Sequence, residues 1–122
     1  MQWKKSSPAL IELFSRVAPG APAEQRKMFG YPAAFVDGHM FIGLHQDDFI
    51  LRLPEDARAE LLEKKGARVF EPMPGRPMKE YVVAPPALIK DEGALRKWIS
   101  RSLQYARSLP PKKAKSTRKK RG

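Results

Sequence analysis

Cysteine is absent from the 122 residues. That excludes a disulfide framework, a thiol nucleophile and a cysteine-ligated zinc, and an unstapled chain of this size is expected in a reducing cytoplasm. No window holds the ~18 consecutive apolar residues that a membrane-spanning helix requires, and Met1-Gln2-Trp3-Lys4-Lys5 has no apolar stretch behind its charges to act as a secretory signal. The expectation is a cytoplasmic protein without membrane association. Phosphate-cradling glycine loops are missing too: the sequence has neither G-x-G-x-x-G nor G-x-x-x-x-G-K-[ST], and no cofactor is expected.

Catalytic constellations are as scarce. No serine lies in a G-x-S-x-G elbow, and Ser6, Ser7, Ser100, Ser102, Ser108 and Ser116 read as caps, tail or ordinary surface hydroxyls. The two histidines, His39 and His45, lie six positions apart. In an extended strand that is roughly 20 Å at ~3.3 Å per residue, too far to share one ion, and the His45, Asp47, Asp48 group reads as a polar turn. The acidic pairs Asp47-Asp48, Glu55-Asp56 and Asp91-Glu92 stand at turns or helix starts, where capping and the helix dipole explain them. No catalytic or metal-binding residue is assigned, and a non-enzymatic protein is expected.

What the sequence does have is positive charge, unevenly placed. Lys and Arg total 24 against 13 Asp and Glu, a net charge of +11. Seven of the cations (Lys112, Lys113, Lys115, Arg118, Lys119, Lys120, Arg121) crowd into residues 110–122 with no acid, leaving 17 against 13, or +4, on residues 1–109. A like-charged block of this kind repels itself, stays disordered and serves as an interaction arm. The expected organisation is one folded domain, 1–109, and a Lys/Arg-rich tail, 110–122, joined at Pro110-Pro111. The tail is the candidate nucleic-acid-binding segment, holding DNA through its phosphates without reading bases.

Within the domain, Ser6-Ser7-Pro8 reads as a helix start, followed by Leu10, Leu13, Phe14 and Val17 at helical spacing. Arg26-Lys27-Met28-Phe29-Gly30 reads as a short strand. Asp37-Gly38 is a tight-hairpin pair between Ala33–Val36 and His39–His45. With Val36 facing His39, Phe35 pairs with Met40 and Ala33 with Ile42, so Ala33, Phe35, Met40, Ile42 and Leu44 form one apolar core face. Past the Gln46-Asp47-Asp48 turn, pairing His45 with Ile50 sets Leu51 beside Leu44 and keeps Arg52 off that face, as the cost of burying an unpaired guanidinium requires.

A second helix spans Pro54 to Lys65, stopped by Gly66. Strands at Arg68–Glu71 and Met78–Val83 flank a loop stiffened by Pro72, Pro74 and Pro77. A long final helix begins at a capping Asp91 and carries Leu95, Trp98, Ile99, Leu103 and Ala106 on one stripe. The order of elements predicts an α+β domain: a mainly antiparallel sheet of about five strands with flanking helices.

One further group stands out, where cations and glycines lie beside aromatics: Arg26, Lys27 and Phe29 in the first motif, Arg76, Lys79 and Tyr81 in Gly75-Arg76-Pro77-Met78-Lys79-Glu80-Tyr81. These are candidate partner- or anion-binding residues. Arg26, Lys27, Arg76 and Lys79 converging on one concave site is the alternative reading, a small-molecule or anion-binding domain, conceivably an enzyme. Taken with Phe35-Val36-Asp37-Gly38-His39-Met40-Phe41, Leu51-Arg52-Leu53-Pro54 and the run from Phe70 to Val82, these segments resemble the TfoX/Sxy N-terminal domain family over roughly residues 8 to 109. The resemblance implies a bacterial, non-enzymatic α+β domain. In the best-known members it belongs to a regulator of natural competence genes, where a helical second domain follows and the protein acts with a cyclic-AMP receptor-type activator at promoters. Here only the Lys/Arg tail follows Leu109, so the resemblance implies a transcription-related accessory protein with an unidentified protein partner, as monomer or homodimer, rather than the full coactivator role.

Overall fold

A serine hydroxyl sets the first element. Ser7 Oγ accepts a hydrogen bond from the Leu10 amide at 3.2 Å and Pro8 presets the first turn. Helix α1 (Pro8–Val17) follows in a computed structural model that describes residues 5–20, 22–28 and 30–110. Its Leu10, Leu13, Phe14 and Val17 stripe is buried as the spacing predicts. Strands β1 (Glu24–Met28), β2 (Tyr31–Val36), β3 (His39–His45) and β4 (Asp48–Arg52) then run as an antiparallel meander. After them come α2 (Glu55–Leu62), β5 (Arg68–Met73), β6 (Arg76–Val83), α3 (Pro86–Ile89) and α4 (Glu92–Ser108). The strands form one antiparallel sheet of six, in the order β1-β2-β3-β4-β6-β5, so the α+β class holds with one strand more than expected.

All the helices feed one side of this sheet. Leu10, Phe14 and Val17 from α1, Ala57 and Leu61 from α2, Leu88 from α3 and Leu95, Trp98, Ile99 and Ala106 from α4 share a single cluster with Phe41, Ile42, Leu51 and Val82 of the strands. Asp91 caps α4 by accepting from the Ala94 amide at 3.1 Å. Gly66, beyond α2, has φ +93°, and an added Cβ would lie 2.7 Å from Pro86 Cδ. Only glycine fits both the backbone and the space. Helix α3, absent from the sequence reading, is a single turn begun by Pro85-Pro86.

The expected core face is split by a bulge. Val36 pairs with His39 and Phe35 with Met40 as anticipated, but Ala34 then pairs with Ile42 and Ala33 with Gly43. Phe41 is the extra residue, and Phe41 and Ile42 both belong to the helix-covered cluster. Ala33, Phe35 and Met40 fall instead on the opposite face, with Ile50, Phe70, Tyr81 and Val83. A bulge is invisible to strict alternation, which is why the expectation placed all five residues together. The β3–β4 pairing differs more mildly. His45 pairs with Asp48 and Leu44 with Phe49, two residues from the expected register. The tighter turn is made by Gln46 at φ 55°. A two-residue slip preserves the faces, so Arg52 stays off the main core as argued.

The proline-rich segment is strand rather than loop. β5 and β6 extend to a Pro74-Gly75 tip, where Gly75 has φ 78° and its amide donates to Glu71 Oε2 at 2.6 Å. Prolines are tolerated because β5 is an edge strand and β4 pairs only with Tyr81, Val82 and Val83, so the outer half of β6 lies beyond the β4 ladder. Register shifts along β5–β6 mark the departure.

The bulge frees backbone carbonyls that must be matched. Ser102, fully buried on α4, lies with Oγ 2.6 Å from the Phe41 carbonyl and 2.7 Å from that of Arg52, its single proton shared between two acceptors. From the other face the Tyr81 hydroxyl donates to the Met40 carbonyl at 2.8 Å. Ser102 is therefore no surface hydroxyl, and Tyr81, expected among the partner-binding residues, is a buried brace. Ser102→Ala should destabilise the protein by about 1–3 kcal/mol by stranding buried carbonyls. Ser108→Ala, on the exposed side of α4, should stay within about 0.5 kcal/mol. The denaturant midpoints of the two variants check this.

Candidate functional site

The face opposite the helices carries a pocket of about 300 Å³. Its origin is a pair of small residues. Gly43 and Ala33 face each other across β3 and β2, with Ile50 next to Gly43 on β4. A Cβ added at Gly43 would meet Met40 Sδ at 3.4 Å and Ala33 Cβ at 3.5 Å, so the missing side chain is space on this face. Met28, Met40, Met73 and Met78 line the walls, every methionine of the sequence except Met1. Met28 comes from β1, near one end of the strand order, and Phe70, Met73 and Met78 from β5 and β6 at the other. For these to line one cavity the sheet must curl strongly, with the β5–β6 hairpin projecting over the pocket.

The lining is apolar except for His45, whose ring lies between those of Tyr31 and Phe70 at centroid distances of 5.3 and 5.2 Å. Thioethers are flexible and polarizable, and such surfaces suit apolar partners of imprecise shape. At the rim of the cavity Met73 stays 59% and Met78 36% exposed. Among the described residues, no helical residue contributes to the hydrophobic cluster on this face.

A polar cluster occupies the strand ends beside it. Arg52 Nε donates to Glu80 Oε1 at 2.7 Å, and the Tyr105 hydroxyl donates to Glu80 Oε2 at 3.3 Å. The Arg52 guanidinium also lies 5.9 and 5.8 Å from the ring centroids of Tyr81 and Tyr105. His39 completes the group, with Nδ1 3.4 Å from Arg52 Nη1 and Nε2 2.7 Å from the Pro110 carbonyl. A guanidinium only donates and a carbonyl only accepts, so the neutral ring protonated at Nε2 satisfies both. Burial pushes the Glu80 carboxyl upward, but the Arg52 hydrogen bond and charge, with the Tyr105 hydroxyl, outweigh it and hold Glu80 below its ordinary value. Burial, then the Glu80 charge, raises the Tyr105 phenol. Each of these side chains has a partner within the cluster, which ties the end of α4 and the exit of the chain to the start of β3.

The expected site residues are distributed unequally. Arg26 and Lys27 lie exposed on β1, and Arg26 pairs with Glu24 at 2.8 Å and stacks 5.1 Å over Phe35. Arg76 and Lys79 are exposed on β6. None of the four lines the apolar pocket. What unites the two motifs is Met28 and Met78. Phe29 and the tail cations Lys112, Lys113, Lys115, Arg118, Lys119, Lys120 and Arg121 lie outside the described residues. His39 and His45 sit at opposite ends of β3, and no group of three His, Cys, Asp or Glu that could hold a metal ion is found among the described residues. Gly43 went unnoticed in the sequence, although a lone glycine in an apolar strand signals a close approach or a missing wall.

A curled antiparallel sheet, with the helices of the described residues on one side and an apolar pocket on the other, defines a small α+β domain. The family model of the TfoX N-terminal domain matches residues 12–106, and the chain belongs to that family. No curated protein matches it. Among the described residues no helix is long and apolar enough to cross a membrane.

Because Glu80 is held low in the fold, its charge stabilises the protein above the ordinary carboxylate range, and the contribution is lost as pH falls through the folded value. Glu80→Gln should lower the unfolding midpoint at neutral pH, with the gap to the unmodified protein closing on acidification. Thermal unfolding across the acid range measures it.

Proposed function

We propose that the protein is a non-enzymatic accessory factor of the TfoX N-terminal type, in which the folded domain docks a protein partner through the methionine-lined pocket and the Lys/Arg tail holds DNA through its phosphates. One observation carries the docking half: a cavity of about 300 Å³, lined by four methionines, opens on the sheet face that no helix of the described residues covers. An apolar anchor side chain of the partner fills such a pocket, and the exposed Met73 and Met78 extend the contact around it. The tail half rests on charge alone: seven cations and no acid in residues 110–122. The transcription-related, cytoplasmic setting is what the family membership supports. An anion site made by Arg26, Lys27, Arg76 and Lys79 is not favoured, because none of these lines the pocket.

Two measurements separate the halves. DNA affinity of the full chain should fall with salt on a log-log slope as steep as about −6, from seven cations at ~0.9 each. A chain ending at Pro110 should lose most of that affinity and slope, and equal binding by the two chains contradicts the tail assignment. For docking, nuclease-treated host extract passed over immobilised protein should yield a partner that the unmodified chain retains and Gly43→Val, with its pocket filled, does not. Retention by both contradicts the pocket assignment.

A further inference from the structure

The charges around the pocket say more about what enters it. Residues paired across neighbouring antiparallel strands share a sheet face, and Arg26 pairs with Ala33 and Arg76 with Met73, both of which line the pocket. Arg26 therefore stands on the face of Met28, and Arg76 on that of Met78, so each of the two strands that bring a methionine to the cavity from opposite directions carries an arginine beside it. Lys27 follows on the reverse face of β1, and Lys79 lies exposed on β6. The acids close by in sequence have other work: Glu71 holds the Gly75 amide and Glu80 holds Arg52 and Tyr105. Arg26 pairs with Glu24, an exposed contact with side chains 58% and 66% accessible, of the kind that exchanges at little cost. Arg76 has no ion-pair partner among the described residues. Residues 1–109 are themselves net positive, at 17 cations to 13 acids.

The size of the apolar surface argues for a segment of polypeptide over a small molecule. A volume of about 300 Å³ is at the lower limit for ligand pockets, yet two of the lining residues, Met73 and Met78, stay 59% and 36% exposed at its rim. An occupant that only fills the cavity leaves that rim wet.

We propose that the pocket recognises an acid-flanked apolar segment of a protein partner, its hydrophobic side chain seated among Met28, Met40 and Met78 and its carboxylates meeting Arg26 and Arg76. This rests on the docking role assigned to the pocket and adds the charge of the occupant. Charge complementarity of this kind sets specificity and on-rate, while the apolar contact holds the complex.

The test uses two fluorescent synthetic peptides with the same Leu/Phe stripe, one carrying Glu and the other Lys at the remaining positions, titrated by anisotropy into the full chain and into the chain ending at Pro110. The Glu peptide should bind about tenfold or more tightly than the Lys peptide to both chains. Its binding should be lost in Gly43→Val, and Arg26→Glu with Arg76→Glu should abolish or invert the preference. Met73→Gln with Met78→Gln, exposed and uncharged substitutions that remove the apolar wall, replaces Gly43→Val if that variant does not fold. Equal binding of both peptides, lost when the pocket is blocked, overturns the charge proposal and leaves the docking role standing. A Glu preference that vanishes without the tail, or survives blocking of the pocket, overturns the proposal. Failure of both peptides to bind also overturns it, and the extract experiment then decides the docking role independently.

Discussion

One extra residue in β3 organises this domain. Where Phe41 bulges out of the β2–β3 ladder, Phe41 and Ile42 both turn to the helical side, and Met40 is released to the other. The displaced carbonyls require donors from outside the ladder, since an unmatched buried carbonyl costs on the scale of a lost hydrogen bond. Ser102 answers from α4 and Tyr81 from β6, one from each face. The same defect thus pins the longest helix to the sheet, orients β6 under it, and supplies the open face with a methionine. Core and pocket are two consequences of a single irregularity.

That irregularity also marks the limit of what could be read from residues alone. Caps and turns act locally, so Ser7-Pro8, Asp37-Gly38, Gly66 and Asp91 were legible, and with them α1, the first hairpin, α2 and α4. Face assignment on β4 was legible because a misplaced Arg52 has a large energetic penalty, although two registers obey that constraint equally and the tighter turn won. The bulge, the buried Ser102 and the β5–β6 extension through three prolines depend on tertiary neighbours. A serine at position 102 looks like any other helical serine until the carbonyls of Phe41 and Arg52 are seen beneath it.

The candidate site shows the same division. Sequence singled out the Arg26–Gly30 and Gly75–Tyr81 motifs, and the structure brings them to one place, but through Met28 and Met78 instead of through the cations. Met28 and Met78 stood in these motifs but not among the candidate site residues, because nothing in a linear reading joins β1 to β6. Tyr81 was selected as an aromatic beside cations, and its ring is buried with its hydroxyl spent on the Met40 carbonyl. The sheet's asymmetry gives these placements their meaning: four helices saturate one face, and the other keeps a cavity floored by Gly43 and Ala33, with apolar rims and arginines on the flanking strands. In the polar cluster, Arg52 and Tyr105 hold Glu80, and His39 lies against Arg52.

Strands from the two ends of the sheet meet around one cavity, and methionine methyl NMR addresses this meeting directly. With 13C-methyl methionine in the full chain, titration of 1-anilinonaphthalene-8-sulfonate should shift Met28, Met40 and Met78 together on one saturation curve and leave Met1 unmoved. Methyl groups of Met28 and Met78 responding independently, or not at all, would contradict the account.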